Sequence, residues 1–205
     1  MKIKTAILVI SVFVLSIAVV SIADKVAWKI EADSIANREY RVKAALLYNF
    51  VRFVDWPGEK AANIDEPIII GIIGNDPFGG VFESVKDTYV KGRKVTIERF
   101  KSLDELKKDA SQAESLLRSQ VNAIRKCHLL FICSSEKEHL SEIIESLKGV
   151  PVLTISELAD FAESGGIIEL LMEKGKVRFE INLSVAEKAD LKVGSQLLRL
   201  ARGLM

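Results

Sequence analysis

The chain has 205 residues, 49% of them hydrophobic and 28% charged, with a formal net charge of +1. That length suits one domain of ordinary size, and that hydrophobic share supports a real core, which excludes a disordered chain. The near balance of charge, without a polybasic arm, argues against a dedicated nucleic-acid binder.

Met1-Lys2-Ile3-Lys4 is a short basic start, and Thr5–Val20 carries no charge. Ser21-Ile22-Ala23 puts small residues at the positions a signal peptidase reads, so cleavage is expected between Ala23 and Asp24. The alternative is an uncleaved inner-membrane anchor, since the apolar run is close to the shortest that spans a bilayer. On either reading the remainder is exported, to the periplasm of a bacterial-type cell, and no later stretch is apolar enough to cross a membrane. Residues 24–38 read as a linker or lead-in, which leaves 39–205 as a single domain.

Glu39–Pro57 is the longest helical pattern and the densest collection of aromatics. At the α-helical step Val42, Leu46, Phe50, Phe53 and Trp56 share one broad face, and Leu47, Val51 and Val54 widen it. Asn49 falls inside this stripe and Lys43 interrupts its edge. A helix so apolar must be covered over most of its circumference. Pro57-Gly58 ends it. Pro67–Gly74 is a continuous isoleucine-rich run, as for a strand buried on both faces of a parallel sheet.

A tight turn at Asn75–Gly80 leads to a helix over about 78–87, and Val95–Phe100 is a second strand. Ser102-Leu103-Asp104-Glu105 is a capping box that opens a helical stretch reaching Lys126. Lys126–Cys133 is a third strand, followed by a helix that stops at Gly149. Val150–Ile155 is a fourth strand, and Ser156 caps a short helix broken at Gly165-Gly166. Ile167–Met172 and Lys176–Leu183 flank a glycine-containing turn and read as a hairpin. A last helix covers about 195–202. Repeated strand–helix units predict an α/β fold, a mainly parallel sheet sandwiched by helices, with an antiparallel hairpin at one edge.

Cys127 and Cys133 lie on what reads as one strand, which at about 3.3 Å per residue separates them by roughly 20 Å. A disulfide needs α-carbons within about 7 Å, so free thiols are expected unless Cys127 lies in a bend or pairs with another chain. The same separation argues against a shared metal.

The sequence A-x-L-Y-N-F-x-x-F-x-x-W-P over residues 45–57 resembles the start of the YfiR-like family of small periplasmic proteins. So do I-I-G-I-I-G-N-D-P-F at 69–78, K-G-R-K-V at 91–95, V-P-V-L-T-I-S at 150–156 and, most closely, G-G-I-I-E-L-L-M-E-K-G-K-V-R-F-E-I-N at 165–182. The resemblance implies a periplasmic regulator. The family's best-known member restrains an inner-membrane diguanylate cyclase through its periplasmic part, lowering cyclic-di-GMP and biofilm formation. Disulfides occur in that member, and the cysteine placement here departs from an internal bridge.

Site candidates follow from the residues. Asn75, Asp76 and Phe78 lie in a loop that leaves a strand and opens a helix, a place where amides meet anions and where α/β folds hold ligands. It is neither a dinucleotide nor a phosphate-loop motif, and Asp76-Pro77 is also an ordinary helix start. Arg178, Glu180 and Asn182 share the polar face of the hairpin, suited to a carboxylate or a partner's backbone. Asn49, Phe50, Phe53 and Trp56 are core or, in part, a partner-facing band, and a buried Asn49 amide needs hydrogen bonds. Glu136 and Glu138 read as solvated face. His128 and His139 are the only histidines, and no hydrolase or metalloprotease motif is present. No catalytic residue, metal or cofactor is expected, although Cys133 before a helix is a conceivable nucleophile.

The expected function is non-enzymatic inhibition of a membrane sensor by protein–protein contact. The alternative is a periplasmic small-molecule binding protein serving a sensor or transport system. The expected partner is the periplasmic part of an inner-membrane sensor. A second copy of the chain and a small-molecule effector are further candidates, and nucleic acid is not.

Overall fold

The first described helix, α1, covers residues 37–53 of a computed structural model that describes residues 37–58, 66–85, 88–108 and 112–205. The expected signal peptide lies outside the described residues. The chain divides into Met1–Glu39, of which only the start of α1 is described, and Tyr40–Met205.

After α1 the strands and helices are β1 (Val54–Asp55), β2 (Ile68–Ile73), β3 (Tyr89–Val90), β4 (Arg93–Phe100), α2 (Leu103–Lys107), α3 (Ala113–Ile124), β5 (Leu129–Ile132) and α4 (Leu140–Ser146). Then come β6 (Leu153–Ser156), β7 (Ile168–Glu173), β8 (Lys176–Ile181), α5 (Leu183–Lys188), β9 (Lys192–Val193), α6 (Ser195–Leu200) and β10 (Gly203–Leu204). Two 3-10 segments, Gly79–Val85 and Ser134–His139, follow β2 and β5.

The main sheet has 8 strands in the order β10-β8-β7-β6-β5-β2-β4-β3. The run β4-β2-β5-β6-β7 is parallel throughout, while β7 and β8 pair antiparallel as a hairpin. The expected architecture is therefore present, with β10 added outside the hairpin. The isoleucines of β2 behave as a doubly buried strand should. Ile68, Ile70 and Ile72 enter one core cluster, and Ile73 with half-buried Ile69 enters the other. Likewise Leu129 and Phe131 of β5 face the first cluster, and Leu130 and Ile132 the second. α1, α5 and α6 cover the first face through Leu47, Phe50, Ala186 and Leu197. α2, α3 and α4 cover the second through Leu103, Ile124 and Ile143. Each fully buried Leu, Ile or Phe contributes about 1.5–3 kcal/mol, so the sheet interior dominates stability.

Several sequence expectations shift. α1 ends at residue 53, and β1 pairs with β9 through Val54↔Val193. Trp56 thus lies beyond the helix, and carrying the helical step to it rotated the predicted stripe. The buried face runs through Lys43, Ala44, Leu47, Phe50 and Val51, while Val42 and Asn49 are exposed and Phe53 is half-buried. Asn49 is therefore no buried amide.

The helix expected over 78–87 is a shorter 3-10 segment. The stretch from Ser102 to Lys126 splits into α2 and α3, with Ser102 capping α2 by accepting from the Glu105 N–H at 3.2 Å. The Ser156 hydroxyl donates to the Ile132 carbonyl at 2.7 Å and accepts the Leu158 N–H at 3.2 Å, but no regular helix follows, and Asp160 takes the left-handed conformation at φ 61°.

Candidate functional site

Chain order along the parallel strands reverses between β2 and β5: the chain leaves β2 outward to β4, then returns to β5. In open α/β sheets the crevice outside the carboxyl ends at such a reversal is where ligands bind. Here that crevice is built from the loops after β2, β5 and β6.

Gly74 leaves β2 with φ 95°, and its N–H reaches the Phe100 carbonyl at 3.3 Å. Asn75 donates its backbone N–H to Ser135 Oγ at 3.0 Å, and Ser135 donates to Glu136 Oε1 at 3.1 Å. Glu136 Oε2 accepts the Leu103 N–H at 3.0 Å. Glu136 is fully buried, so the expectation of a solvated face fails for it. A buried carboxylate must be hydrogen-bonded, and this one ties the start of α2 to the end of β5.

Asp76 Oδ1 accepts the Phe78 N–H at 2.7 Å, and Oδ2 accepts Arg99 Nε at 2.7 Å. Phe78 is buried, its ring 4.9 Å from Phe131 and 4.8 Å from Phe82. Lys43, buried on α1, pairs with Glu157 after β6. The Tyr40 hydroxyl donates to the same carboxylate at 3.1 Å, and the Lys43 ammonium lies 4.4 Å from the Tyr40 ring centre. The crevice is thus occupied by the chain's own Ser135, Glu136 and Glu157. Sequence reasoning missed Lys43 and Glu157, whose partnership spans 114 positions.

The hairpin residues lie apart from this loop. Ile181 pairs with Ile168 at the amino end of β7, so Asn182 lies at the opposite end of the sheet from Asn75. Asn182 caps α5, accepting the Val185 N–H at 3.0 Å and donating to the Ala162 carbonyl at 2.9 Å. Arg178 is exposed, and half-buried Glu180 has Arg202 3.5 Å away. Trp56 is buried and donates from Nε1 to the His128 carbonyl at 3.0 Å. His128 Nδ1 accepts the Ile69 N–H at 3.1 Å. His139 lies 2.8 Å from Asp104, and this hydrogen bond is the main cause holding the Asp104 carboxyl below its usual range.

Cys127 and Cys133 are free and buried. Burial, then the charge of Glu98, pushes the Cys127 thiol up to about 12. Burial, then Asp76, Glu157 and Glu136, does the same for Cys133, also to about 12. The short 3-10 segment after Cys133 does not offset this, so Cys133 is a poor nucleophile. Against an ordinary value of 9.0 the thiolate is roughly a thousandfold rarer at neutral pH. Native protein at pH 8 is expected to label with a thiol reagent at least a hundredfold more slowly than protein in denaturant. Both thiols keep their protons in the fold but lose them near 9 when unfolded. Their contribution to stability is whole below about pH 9 and falls as pH rises toward 12. A denaturation series across that window, compared with the double serine variant, measures it.

Among the described residues no cluster of His, Cys, Asp and Glu is arranged to hold a metal, and no helix is long and apolar enough to cross a membrane. The sequence profile of the YfiR/HmsC-like family matches residues 40–202. The chain belongs to the YfiR/HmsC-like family. Its match begins at Tyr40, which meets Glu157, and ends at Arg202, which bridges the hairpin carboxylates Glu173 and Glu180.

Among solved structures, this YfiR/HmsC-like chain is similar to a conserved domain protein from Vibrio cholerae O1 biovar eltor, with 12% identity, TM-score 0.50, and coverage of 81% of this chain and 60% of that one. It is also similar to an ABC domain in complex with L-Trp from Streptococcus pneumonia, with 12% identity, TM-score 0.48, and coverage of 67% and 55%. The chain spans less than two thirds of the length of either structure. At such identity the first likeness speaks for the fold alone. No curated protein is similar enough to the chain to count as a match.

Proposed function

We propose that this protein is a non-enzymatic periplasmic regulator that docks on the periplasmic part of an inner-membrane sensor, of the diguanylate cyclase type, and holds its output off. The observation that carries the reading is membership in the YfiR/HmsC-like family across residues 40–202. The chemistry of the sheet end supports it. Glu136 and Glu157 are committed to internal partners, and both thiols are held protonated. The hydroxyl–carboxylate contact there, Ser135 to Glu136, is spent internally: the same oxygen accepts the Asn75 N–H, and the carboxylate is fully buried. Preferential binding to one conformation of the sensor shifts its population toward the inactive state without any turnover.

The surface best suited to docking is the outer edge of the sheet. Met172, Leu200, Leu204 and Met205 are all exposed there, Leu200 to 64%, on or beside β7, α6 and β10. Exposed Arg202, between Leu200 and Leu204 in the chain, adds a positive charge there and lies near the carboxylates of Glu173 and Glu180. Exposed apolar groups rimmed by charge are a common signature of an interaction face.

Affinity capture from membranes is expected to recover a sensor with a cytoplasmic cyclase domain, and expression of the protein to lower cyclic-di-GMP. Leu200→Glu combined with Leu204→Glu is expected to abolish capture while moving the unfolding midpoint little, since exposed substitutions away from special features stay within about 0.5 kcal/mol. Capture of no sensor by folded protein overturns the reading. Undiminished capture by the double variant overturns the assigned surface.

A further inference from the structure

A cavity of about 320 Å³ lies where α4, α5 and the amino end of β6 meet. Its origin is topological. β6 and β7 are paired at only two positions, Ile155↔Ile168 and Ser156↔Glu169. Ahead of them the Ile167 N–H is taken by the Thr154 hydroxyl at 3.1 Å instead of by a ladder. α4 packs on one face of the sheet through Ile143 and Leu147, and α5 on the other through Ala186 and Ala189. Neither helix fills the notch between them.

The walls are mainly apolar: Ile144, Leu147, Val150, Val152, Ile167 and Val185. The polar groups of the lining are largely committed. Thr154 holds Ile167, and Glu145 pairs with Lys148 at 3.0 Å. Lys188, in the last turn of α5, is exposed and has no hydrogen-bond or ion-pair partner among the described residues. A pocket of this size with apolar walls and a single uncommitted cation suits one kind of ligand. A sugar or nucleotide would bury polar groups without partners. A cationic amphiphile would meet two lysines at the rim.

We propose that this cavity binds a medium-chain acyl carboxylate, with the tail between α4 and α5 and the carboxylate at Lys188. The inference does not depend on the docking reading, because it concerns a different face and a different class of ligand.

Calorimetry on the exported chain, with decanoate below its micelle concentration, tests it. One decanoate per chain is expected. Octanoate should bind roughly tenfold more weakly, since each buried methylene matters, and decyltrimethylammonium should not bind. Lys188→Glu is expected to weaken decanoate about tenfold and leave decanol unchanged. Val185→Phe, which fills the cavity, is expected to remove binding of both. The proposal is overturned if wild-type protein does not bind decanoate, or if Lys188→Glu binds it as wild type does. Lys188 is exposed, so this variant decides the matter even where Val185→Phe fails to fold.

Discussion

Replacing Lys43 by Met is expected to destabilise the protein by about 3–5 kcal/mol, as measured by urea unfolding. Lys43 is 3% exposed, and its ammonium pairs with Glu157, a carboxylate that also accepts from the Tyr40 hydroxyl at 3.1 Å. Removing one member of such a pair leaves the other charge largely out of water without its counter-ion, which costs about that much. Glu157→Leu alone should also be destabilising, since it takes from the buried ammonium the carboxylate it pairs with. The double variant Lys43→Met with Glu157→Leu should lose clearly less than the sum, because no charge is left behind. Tyr40→Phe removes one hydrogen bond and should cost about 1 kcal/mol. Additive losses at Lys43 and Glu157 would show that the two do not act as a buried pair. The pair fastens α1 to the loop after β6, so these variants should also loosen the start of α1 in hydrogen exchange.

What could be read in advance depended on how far apart the interacting groups lie in sequence. The buried β2 run announces itself, because a strand covered on both faces needs an unbroken apolar stretch. The β7–β8 hairpin is legible from alternation around Glu173-Lys174-Gly175, and the cap at Ser102 from its own local pattern. By contrast, Lys43 looked like a flaw in an apolar stripe, since its counter-ion is 114 positions away. Glu136 looked like surface beside Glu138, since its partner at Leu103 belongs to another element 33 positions back. The phase of α1 was misread for a local reason: the helix ends at residue 53 and the chain turns to pair with β9. Two-residue strands such as β1, β9 and β10 carry no period of their own and exist only through their partners. Asn182 was the avoidable miss, because an asparagine ahead of Leu-Ser-Val-Ala-Glu-Lys is a recognisable helix cap.

The second large effect falls on Gly74, where Ala is expected to cost roughly 3–4 kcal/mol. The residue holds φ 95°, a conformation L side chains avoid, which alone costs about 1–3 kcal/mol. A Cβ there would lie 2.4 Å from Ser135 Oγ and 2.7 Å from Glu136 Oε1. Neither neighbour gives way freely. Ser135 Oγ receives the Asn75 N–H at 3.0 Å, and Glu136 is fully buried and bound to the Leu103 N–H at 3.0 Å. Pushing them apart adds an overpacking cost of about 1–3 kcal/mol. The comparison that isolates the cause is Gly74→Ala in a Ser135→Gly background. Removing the hydroxyl relieves the shorter contact, so part of the loss should return even though Ser135→Gly alone is destabilising. The backbone strain should remain. Full additivity of the two substitutions would mean that the Ser135 contact contributes nothing, leaving φ and Glu136 as the whole effect. Because these groups fill the crevice where β2 and β5 part, the same series reads whether that crevice is closed. If it is, Gly74→Ala loses stability without altering capture of a membrane partner at the far edge of the sheet.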